Sequence, residues 1–480
     1  MGMDDYTGYQ SPLSGRYASQ HMQEIWSQER KIGTWRRLWL ALAESEQELG
    51  LDITDEQLLE LRKHLDDIDF AAAAEYEKDL RHDVMAHVHT LGDAAPIARP
   101  IIHLGATSQF VNCNTEMLQL RDATEHIISK LAKVICNLGA FAKEYRDLPT
   151  LGFTHYQPAQ PTTVGKRATL WAQDLALTLE DLEFRLSTMR FRGIRGATGT
   201  QASFLDLFDG DHDKVLALDK LVTEKMGWAP DKQLSVTGQT YPRIVDAQIL
   251  SSLAAVAATA HKFATDLRLL ANRGELEEPF EKKQIGSSAM AYKRNPMRCE
   301  RVCALARFVM NMPPNALQTA AVQWMERTLD DSANRRLTLP ESFLALDGLL
   351  DVLGNITSGL VVHEARVKSN LQQEMPFLAT ERLMMEAVKQ GADRQDAHEI
   401  VRQHAIEVAR LIKENGAEND LLERLSCEEM FKGVDLAMAT EPSGFIGRAP
   451  EQIDAFYAEV IEPILQRHST KTVEIAELRV

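Results

Sequence analysis

The chain has 480 residues, 44% hydrophobic and 26% charged, a balance that suits globular domains and is too apolar for disorder. Its 53 lysines and arginines face 70 acidic residues, a formal net charge of -17. That field repels nucleic acid and anionic membrane, so neither is expected as a partner, and an anionic ligand needs a locally basic pocket.

Length favours two or three domains over one core. Residues 1 to about 107 read as an acidic, helical head that ends near Gly105-Ala106-Thr107-Ser108. Its start, Met1-Gly2-Met3-Asp4-Asp5-Tyr6, has no basic and apolar leader pattern, and Tyr6 stands where a myristoylation motif wants Ser or Thr. Within the head, Arg81-His82-Asp83-Val84-Met85-Ala86-His87-Val88-His89 invites a metal reading. His87 and His89, two apart, point apart on a helix, and His82 and His87, five apart, pair no better. No metal is expected there; capping or exposed histidines are.

From about 108 to 362 the chain carries long stripes. Ile127, Leu131, Val134 and Leu138 begin one, and Leu175, Leu179, Leu182, Leu186 and Met189 form the next. Ile249, Leu253, Val256, Ala260, Phe263, Leu267 and Leu270 form a third, and Leu346, Leu349, Leu353, Ile356 and Leu360 a fourth. Steps of three and four bury one face of a long helix, as in a bundle, and flat apolar faces on such helices suggest an oligomer. Alternating Val/Ile/Thr runs are almost absent, so the fold class expected is all-α. No uninterrupted apolar run of about 18 residues exists, and no membrane span is expected.

Polar segments interrupt these stripes, and bundles carry their sites at such places. Between Thr150 and Pro161, Pro158 and Pro161 stiffen an extended stretch that holds His155 just ahead of a helix. A histidine titrates near neutral pH and can give or take a proton. Gly193-Ile194-Arg195-Gly196-Ala197-Thr198-Gly199 lacks the strand–turn–helix setting of a dinucleotide fingerprint. Gly286, Ser287, Ser288 and Pro296 mark a loop that Lys293, Arg294, Arg298 and Arg301 make basic in an acidic protein, as an anionic substrate requires. Arg327 to Arg336 again clusters Arg and Ser donors between helices, a natural phosphate seat. From His363 onward, shorter helices with breaks at Gly391, Gly416 and Pro442-Ser443-Gly444 form a tail. The five cysteines, Cys113, Cys136, Cys299, Cys303 and Cys427, include no C-x-x-C pair, which fits reduced thiols and a cytoplasmic protein. The final Glu477-Leu478-Arg479-Val480 is neither a prenylation nor a peroxisomal signal.

Taken together, these segments resemble a known family. Gly286-Ser287-Ser288-Ala289-Met290, followed by Lys293, Asn295 and Pro296, is similar to the signature loop (282–300 here) of the fumarase/aspartase superfamily. Within it the chain looks like the adenylosuccinate lyase family. The pointers are Arg81–His89, Thr154–Gln160, Thr237-Gly238-Gln239-Thr240-Tyr241 and Arg327–Arg336, in a resemblance along nearly the whole chain. One departure is Ala291, where the family usually has proline; alanine leaves the loop backbone freer.

The resemblance implies a three-domain fold, 1–107, 108–362 and 363–480, whose central bundle assembles into a homotetramer with sites shared between subunits. It implies small nucleotide substrates. Fumarate is eliminated from adenylosuccinate, giving AMP, and from the succinylated aminoimidazole carboxamide ribotide, both in purine synthesis. It assigns Ser287 as base, His155 as acid and Glu300 as the group orienting His155, with Lys293 and Asn295 at the carboxylate where charge develops. Thr107, Ser108 and Gln239 would hold the succinyl carboxylates. Arg16, Tyr17, Arg327, Ser332 and Arg336 would seat the phosphate, with Arg301 nearby, while Arg81, His82 and Asp83 position the substrate. No metal or organic cofactor is implied. Side-chain chemistry alone would choose His155 for either proton transfer, because a free serine hydroxyl is a poor base. Argininosuccinate lyase, a rival within the superfamily, would not need the Arg327–Arg336 phosphate seat. A non-catalytic helical protein would not need His155, Ser287, Lys293 and Glu300.

Overall fold

The computed structural model describes residues 8–468, so the two terminal segments read above for targeting signals lie outside the described residues. Four helices carry the stripes: Ser108–Glu144, Val164–Thr188, Ile244–Asn272 and Asp331–Ser358. Leu131, Leu138, Leu175, Leu179, Leu253, Phe263, Leu346 and Leu349 are fully buried and face one another in a single core. The all-α expectation holds, because apolar residues at this spacing leave one face of each helix dry only when the helices pack together.

One of the four, Ile244–Asn272, is long and apolar enough by composition to cross a membrane, although no uninterrupted run announced it. Half of its most apolar window is buried against the bundle. Its outward positions include Ser251, Ala255 and Ala258, small residues that suit close approach by another helix.

Two short antiparallel ribbons break the helical pattern. Pro149–Thr154 pairs with Gln157–Thr163, and Leu276–Glu277 pairs with Val361–Val362. The first is the stretch expected only to be extended. Its partners include Leu151 opposite Pro161 and Phe153 opposite Pro158. A two-stranded ribbon has two open edges, so prolines whose missing N–H faces outward cost it no ladder bond.

A second cluster of buried residues, Leu371, Met375, Leu383, Val401, Leu421 and Phe431 among them, forms behind this hairpin and takes in its Leu151. The last described helices return to the main core: Ile453, Ile461 and Ile464 pack there, and Gly139 leaves room for Ile461. The hairpin is therefore rooted between two cores, which fixes the position of its tip.

Glu46, in the helix Gln28–Glu48, is an exception to a dry core. Its side chain is fully buried and neither carboxyl oxygen has a hydrogen-bond partner. Burial pushes its carboxyl up from 4.5 to about 9. A carboxyl raised in the folded state contributes stability that is complete below its unfolded value and is lost as pH rises through the folded one. Glu46→Gln, which mimics the protonated form, should thus match wild type near pH 4 and exceed it at pH 8. The expected gain is on the order of 2 kcal/mol, read as a pH-dependent gap between two thermal melts. A gap that stays constant from pH 4 to 8 would refute the assignment.

Candidate active site

The hairpin turns on two residues, and both are left-handed: His155 at φ 53° and Tyr156 at φ 56°. Two-residue hairpin loops of this form favour Asn-Gly, since a Cβ at positive φ is strained. The strain is held from beneath. Gly152 lies so close to the opposite strand that a Cβ there would sit 2.4 Å from the Gln160 carbonyl oxygen. Arg167 Nη2 donates to the Leu151 carbonyl at 2.6 Å. Tyr156 leans on Phe153, with ring centroids 5.7 Å apart, and the Arg273 guanidinium lies 4.8 Å from the Phe153 ring centroid. At the tip, His155 is exposed and makes no hydrogen bond to any described residue. Backbone strain of this kind persists where surrounding structure over-determines it.

A second corner joins residues distant in sequence. Arg81, left-handed at φ 53°, ends the helix Phe70–Leu80, and His82 caps the next, Asp83–Ala94, its Nδ1 accepting from the Met85 N–H at 3.4 Å. The other ring nitrogen lies 3.3 Å from Ser108 Oγ. Ser108 is the first residue of the 108–144 helix, whose N-cap, Thr107, makes no capping bond with its side chain. The Thr107 hydroxyl therefore stays available at the positive end of a long helix, a favourable place for a carboxylate. Asp83 Oδ2 accepts from Arg336 Nη2 at 3.4 Å. The structure thus brings His82, Asp83, Ser108 and Arg336 together, and makes His82 the capping histidine expected.

The signature loop folds on itself. Asn295 Nδ2 donates to the Gly286 carbonyl at 2.9 Å, and the Lys293 N–H to the Met290 carbonyl at 3.0 Å. Gly286 is required: a Cβ would lie 2.2 Å from the Lys293 carbonyl oxygen. Inside this turn Ser287 Oγ accepts from the backbone N–H groups of Met290 at 3.1 Å and Ala289 at 3.4 Å. Not every counted charge serves the loop. Arg298 is buried, donating to the Pro279 carbonyl and to Glu281, each at 2.7 Å, and Arg294 sits 3.6 Å from Glu277. Lys293 is exposed, and no carboxylate of the described residues lies in ion-pair reach of it.

Gln239 is strapped beside the Arg327 segment. Its N–H donates to the Glu326 carbonyl at 3.0 Å and its side-chain amide to the Ala197 carbonyl at 3.0 Å. Arg327 donates to Asp331 at 2.8 Å. Ser332 and Arg336 occupy the first turns of the 331–358 helix rather than a loop between helices. Beneath them runs a buried ionic network that sequence reasoning missed. Arg335 grips Glu116 with two bonds at 2.9 and 3.1 Å, reaches Asp246 at 2.7 Å, and touches the Tyr241 hydroxyl. Arg243 bonds Asp331 at 2.7 Å. Three arginines, counting Arg327, meet three carboxylates, so the network is neutral. Burial pushes the Glu116 carboxyl up, but Arg335 and Arg243 outweigh it and hold the group below its ordinary value. Paired residues like these fix the helix start that carries Ser332 and Arg336.

Lys31 was also missed, because in sequence it looks like one more charge after the exposed Gln28, Glu29 and Arg30. With Trp35, Asp83, His87, Glu116 and Arg336 it lines a cavity of about 320 Å³. Burial pushes its ammonium below the ordinary value, and pushes His87 down to about 4, leaving that imidazole neutral near pH 7.

Other expected partners stay apart within one chain. Glu300 is exposed on the helix Met297–Met310, 3.8 Å from Arg268, and makes no bond to His155. Arg301 follows it, half-buried. Arg16 and Tyr17 end a single turn, Leu13–Tyr17, that packs beside Gly348. Gly348 lies about 18 Å along the helix from Arg336 at the usual rise per residue. Among the described residues no group of three or more His, Cys, Asp or Glu is arranged to hold a metal ion.

Comparison with known proteins adds the following. A family model described as lyase matches residues 5–311, and one described as adenylosuccinate lyase C-terminus matches residues 376–456. The chain is 54% identical to adenylosuccinate lyase of Saccharomyces cerevisiae, over 97% of each chain. It is 50% identical to the Schizosaccharomyces pombe enzyme, covering 99% of this chain and 100% of the other. Among solved structures, a 3-carboxy-cis,cis-muconate lactonizing enzyme from Pseudomonas putida superposes with a TM-score of 0.81 at 24% identity, over 95% of this chain and 99% of that one. A fumarate lyase from Mesorhizobium sp. BNC1 gives 0.77 at 24%, over 92% and 99%. These two speak for the fold alone, since they carry different chemistries on it.

Proposed function

The chain belongs to the adenylosuccinate lyase family, and from that premise we propose how its residues release fumarate from adenylosuccinate to give AMP. The same elimination on the succinylated aminoimidazole carboxamide ribotide gives the parent ribotide. Near-complete alignment at 54% identity carries this reading and disfavours argininosuccinate lyase or a silent structural protein.

Elimination asks for a base at the carbon beside a carboxylate, a seat for the charge that forms there, and an acid at the departing nitrogen. Ser287 is the base. Two backbone N–H groups already point at its oxygen, so an alkoxide there would be met by preorganised donors. With Ser287 as the alkoxide, its own proton already released to solvent, the proton passes from carbon to Ser287 Oγ, and Lys293 and Asn295 take the carboxylate that gains charge. The C–N bond then breaks and His155 protonates the nitrogen, its exposed ring being free to reach substrate. Thr107, Ser108 and Gln239 hold the succinyl carboxylates, with His82, Asp83 and Arg81 fixing the substrate. Arg16, Tyr17, Arg327, Ser332 and Arg336 take the phosphate, and Arg301 lies near it.

These groups close into one site only in a homotetramer, with Glu300 of another subunit orienting His155. The support is exposed apolar surface beside each separate piece. Val236 lies near Gln239, Ile285 and Tyr292 flank Ser287, and Trp324, Met325 and Leu329 flank Arg327, all at least 71% exposed. Patches of this kind mark surfaces that another chain covers. The domain division at 107 and 362 follows the start of the 108–144 helix and the end of the second ribbon. A cytoplasmic home fits the unpaired cysteines. The test is direct: the protein, mixed with adenylosuccinate, should give AMP and fumarate in equal amounts, followed by ultraviolet absorbance. Absence of turnover with the wild-type protein would sink the reading.

A further inference from the structure

The segment that carries Arg16 and Tyr17 is one short turn, Leu13–Tyr17, followed by extended Ala18 (φ -71°, ψ 144°). Its fixed point lies 328 residues away. The Ser19 N–H donates to Asp347 Oδ2 at 2.6 Å, and Asp347 is fully buried in the 331–358 helix. The other oxygen, Oδ1, faces His126 Nε2 at 3.0 Å and Lys130 Nζ at 2.5 Å. Lys130 is itself buried and shared with Asp351 at 2.7 Å. One residue on from Asp347, Gly348 admits the Tyr17 backbone: a Cβ there would lie 2.7 Å from the Tyr17 carbonyl oxygen. The chain is thus pinned on both sides of Ala18, by the carbonyl of Tyr17 and the N–H of Ser19.

A carboxylate is a costly choice at this depth. Position 347 is mid-helix, needs no cap, and an apolar residue would fill the core without desolvating an ion. What the carboxylate adds is a strong, directional acceptor for an N–H on another segment, with His126 and Lys130 holding it ionised and in place.

We propose that Asp347 is a positioning residue for the substrate phosphate: through the Ser19 N–H it sets where Arg16 and Tyr17 stand. This rests on the phosphate role given to those two residues above. Asp347 does not touch substrate. It acts through the backbone, so its loss should weaken binding of the phosphorylated substrate and spare the chemistry.

Ser19→Pro removes that N–H together with the Ser19 hydroxyl and leaves the backbone angles in place. Ser19 has φ -63°, the angle proline imposes, and the extended Ala18 suits a residue before proline. The Ser19 side chain also caps the helix Gln20–Ile25 through the Met22 N–H, so Ser19→Ala, which loses the cap and keeps the backbone donor, is the control. For adenylosuccinate, Ser19→Pro should raise KM about tenfold with kcat within about twofold, and Ser19→Ala should stay within about twofold in both. On the dephosphorylated nucleoside of the same substrate, the two variants should have equal kcat/KM, a distinction that a general loss of stability would not make. Asp347→Asn, which keeps the shape and weakens the acceptor, should give a smaller KM rise of the same phosphate-dependent kind; it carries the test alone should the proline variant not fold. Equal KM in Ser19→Pro and Ser19→Ala, equal losses on both substrates, or an unchanged KM in Asp347→Asn would each overturn the proposal. A wild-type protein that turns over neither substrate would instead overturn the functional reading.

Discussion

Ser287→Ala should lower kcat for adenylosuccinate by about a thousandfold or more while KM stays within about threefold. The substitution removes one atom, the hydroxyl oxygen on which two backbone N–H groups converge. It leaves the rest of the loop tied, because the Asn295–Gly286 bond and the Gly286–Lys293 approach do not involve that oxygen. A loss confined to kcat is the signature of a group that acts in the transition state and not in binding. Initial rates by ultraviolet absorbance measure kcat, and calorimetric titration with AMP checks that the product still binds. A variant that keeps more than a tenth of wild-type kcat would remove Ser287 from the role of base. His155, the choice that side-chain chemistry alone favours, would then have to serve at both ends of the reaction.

The bundle was legible because its signal is local and repeated: Leu175, Leu179 and Leu182 announce a buried face within two turns. The hairpin was not: Pro158 and Pro161 read only as stiffening an extended stretch, and a strand partner is not expected of prolines until the open edges of a two-stranded ribbon make them harmless. Site residues that lie in one loop, such as Ser287, Lys293 and Asn295, could be read together. The meetings of His82 with Ser108 and of Asp83 with Arg336 could not, because no local pattern records a contact across 26 or 253 positions. Charge was the least legible property. Arg335 and Arg336 are indistinguishable as neighbours in sequence, yet a turn of about 100° per residue sends one into the buried network and the other to the surface. Arg298 looked like part of a basic loop for the same reason, and packing spends it on Glu281.

His155→Gln should lower kcat by roughly a hundredfold to ten-thousandfold, the range that general acid catalysis contributes. Glutamine fills the same space at the strained tip but has no proton to give at neutral pH, so the effect isolates proton transfer from hairpin geometry. A His155→Gln variant with wild-type kcat would remove the acid role. The larger consequence appears on mixing. His155 and Ser287 lie on separate segments with no contact between them in one chain, and apolar residues flank the pieces of the site. Where His155 of one subunit works against Ser287 of another, a tetramer built from both kinds of inactive chain contains some sites with neither defect. Ser287→Ala and His155→Gln proteins, unfolded and refolded together or coexpressed, should therefore recover activity that neither has alone, while each refolded by itself stays inactive. Hybrids verified by mass but silent in the assay would show that each chain supplies both residues to its own site. The fold would then have to bring the hairpin tip and the signature loop together within one subunit.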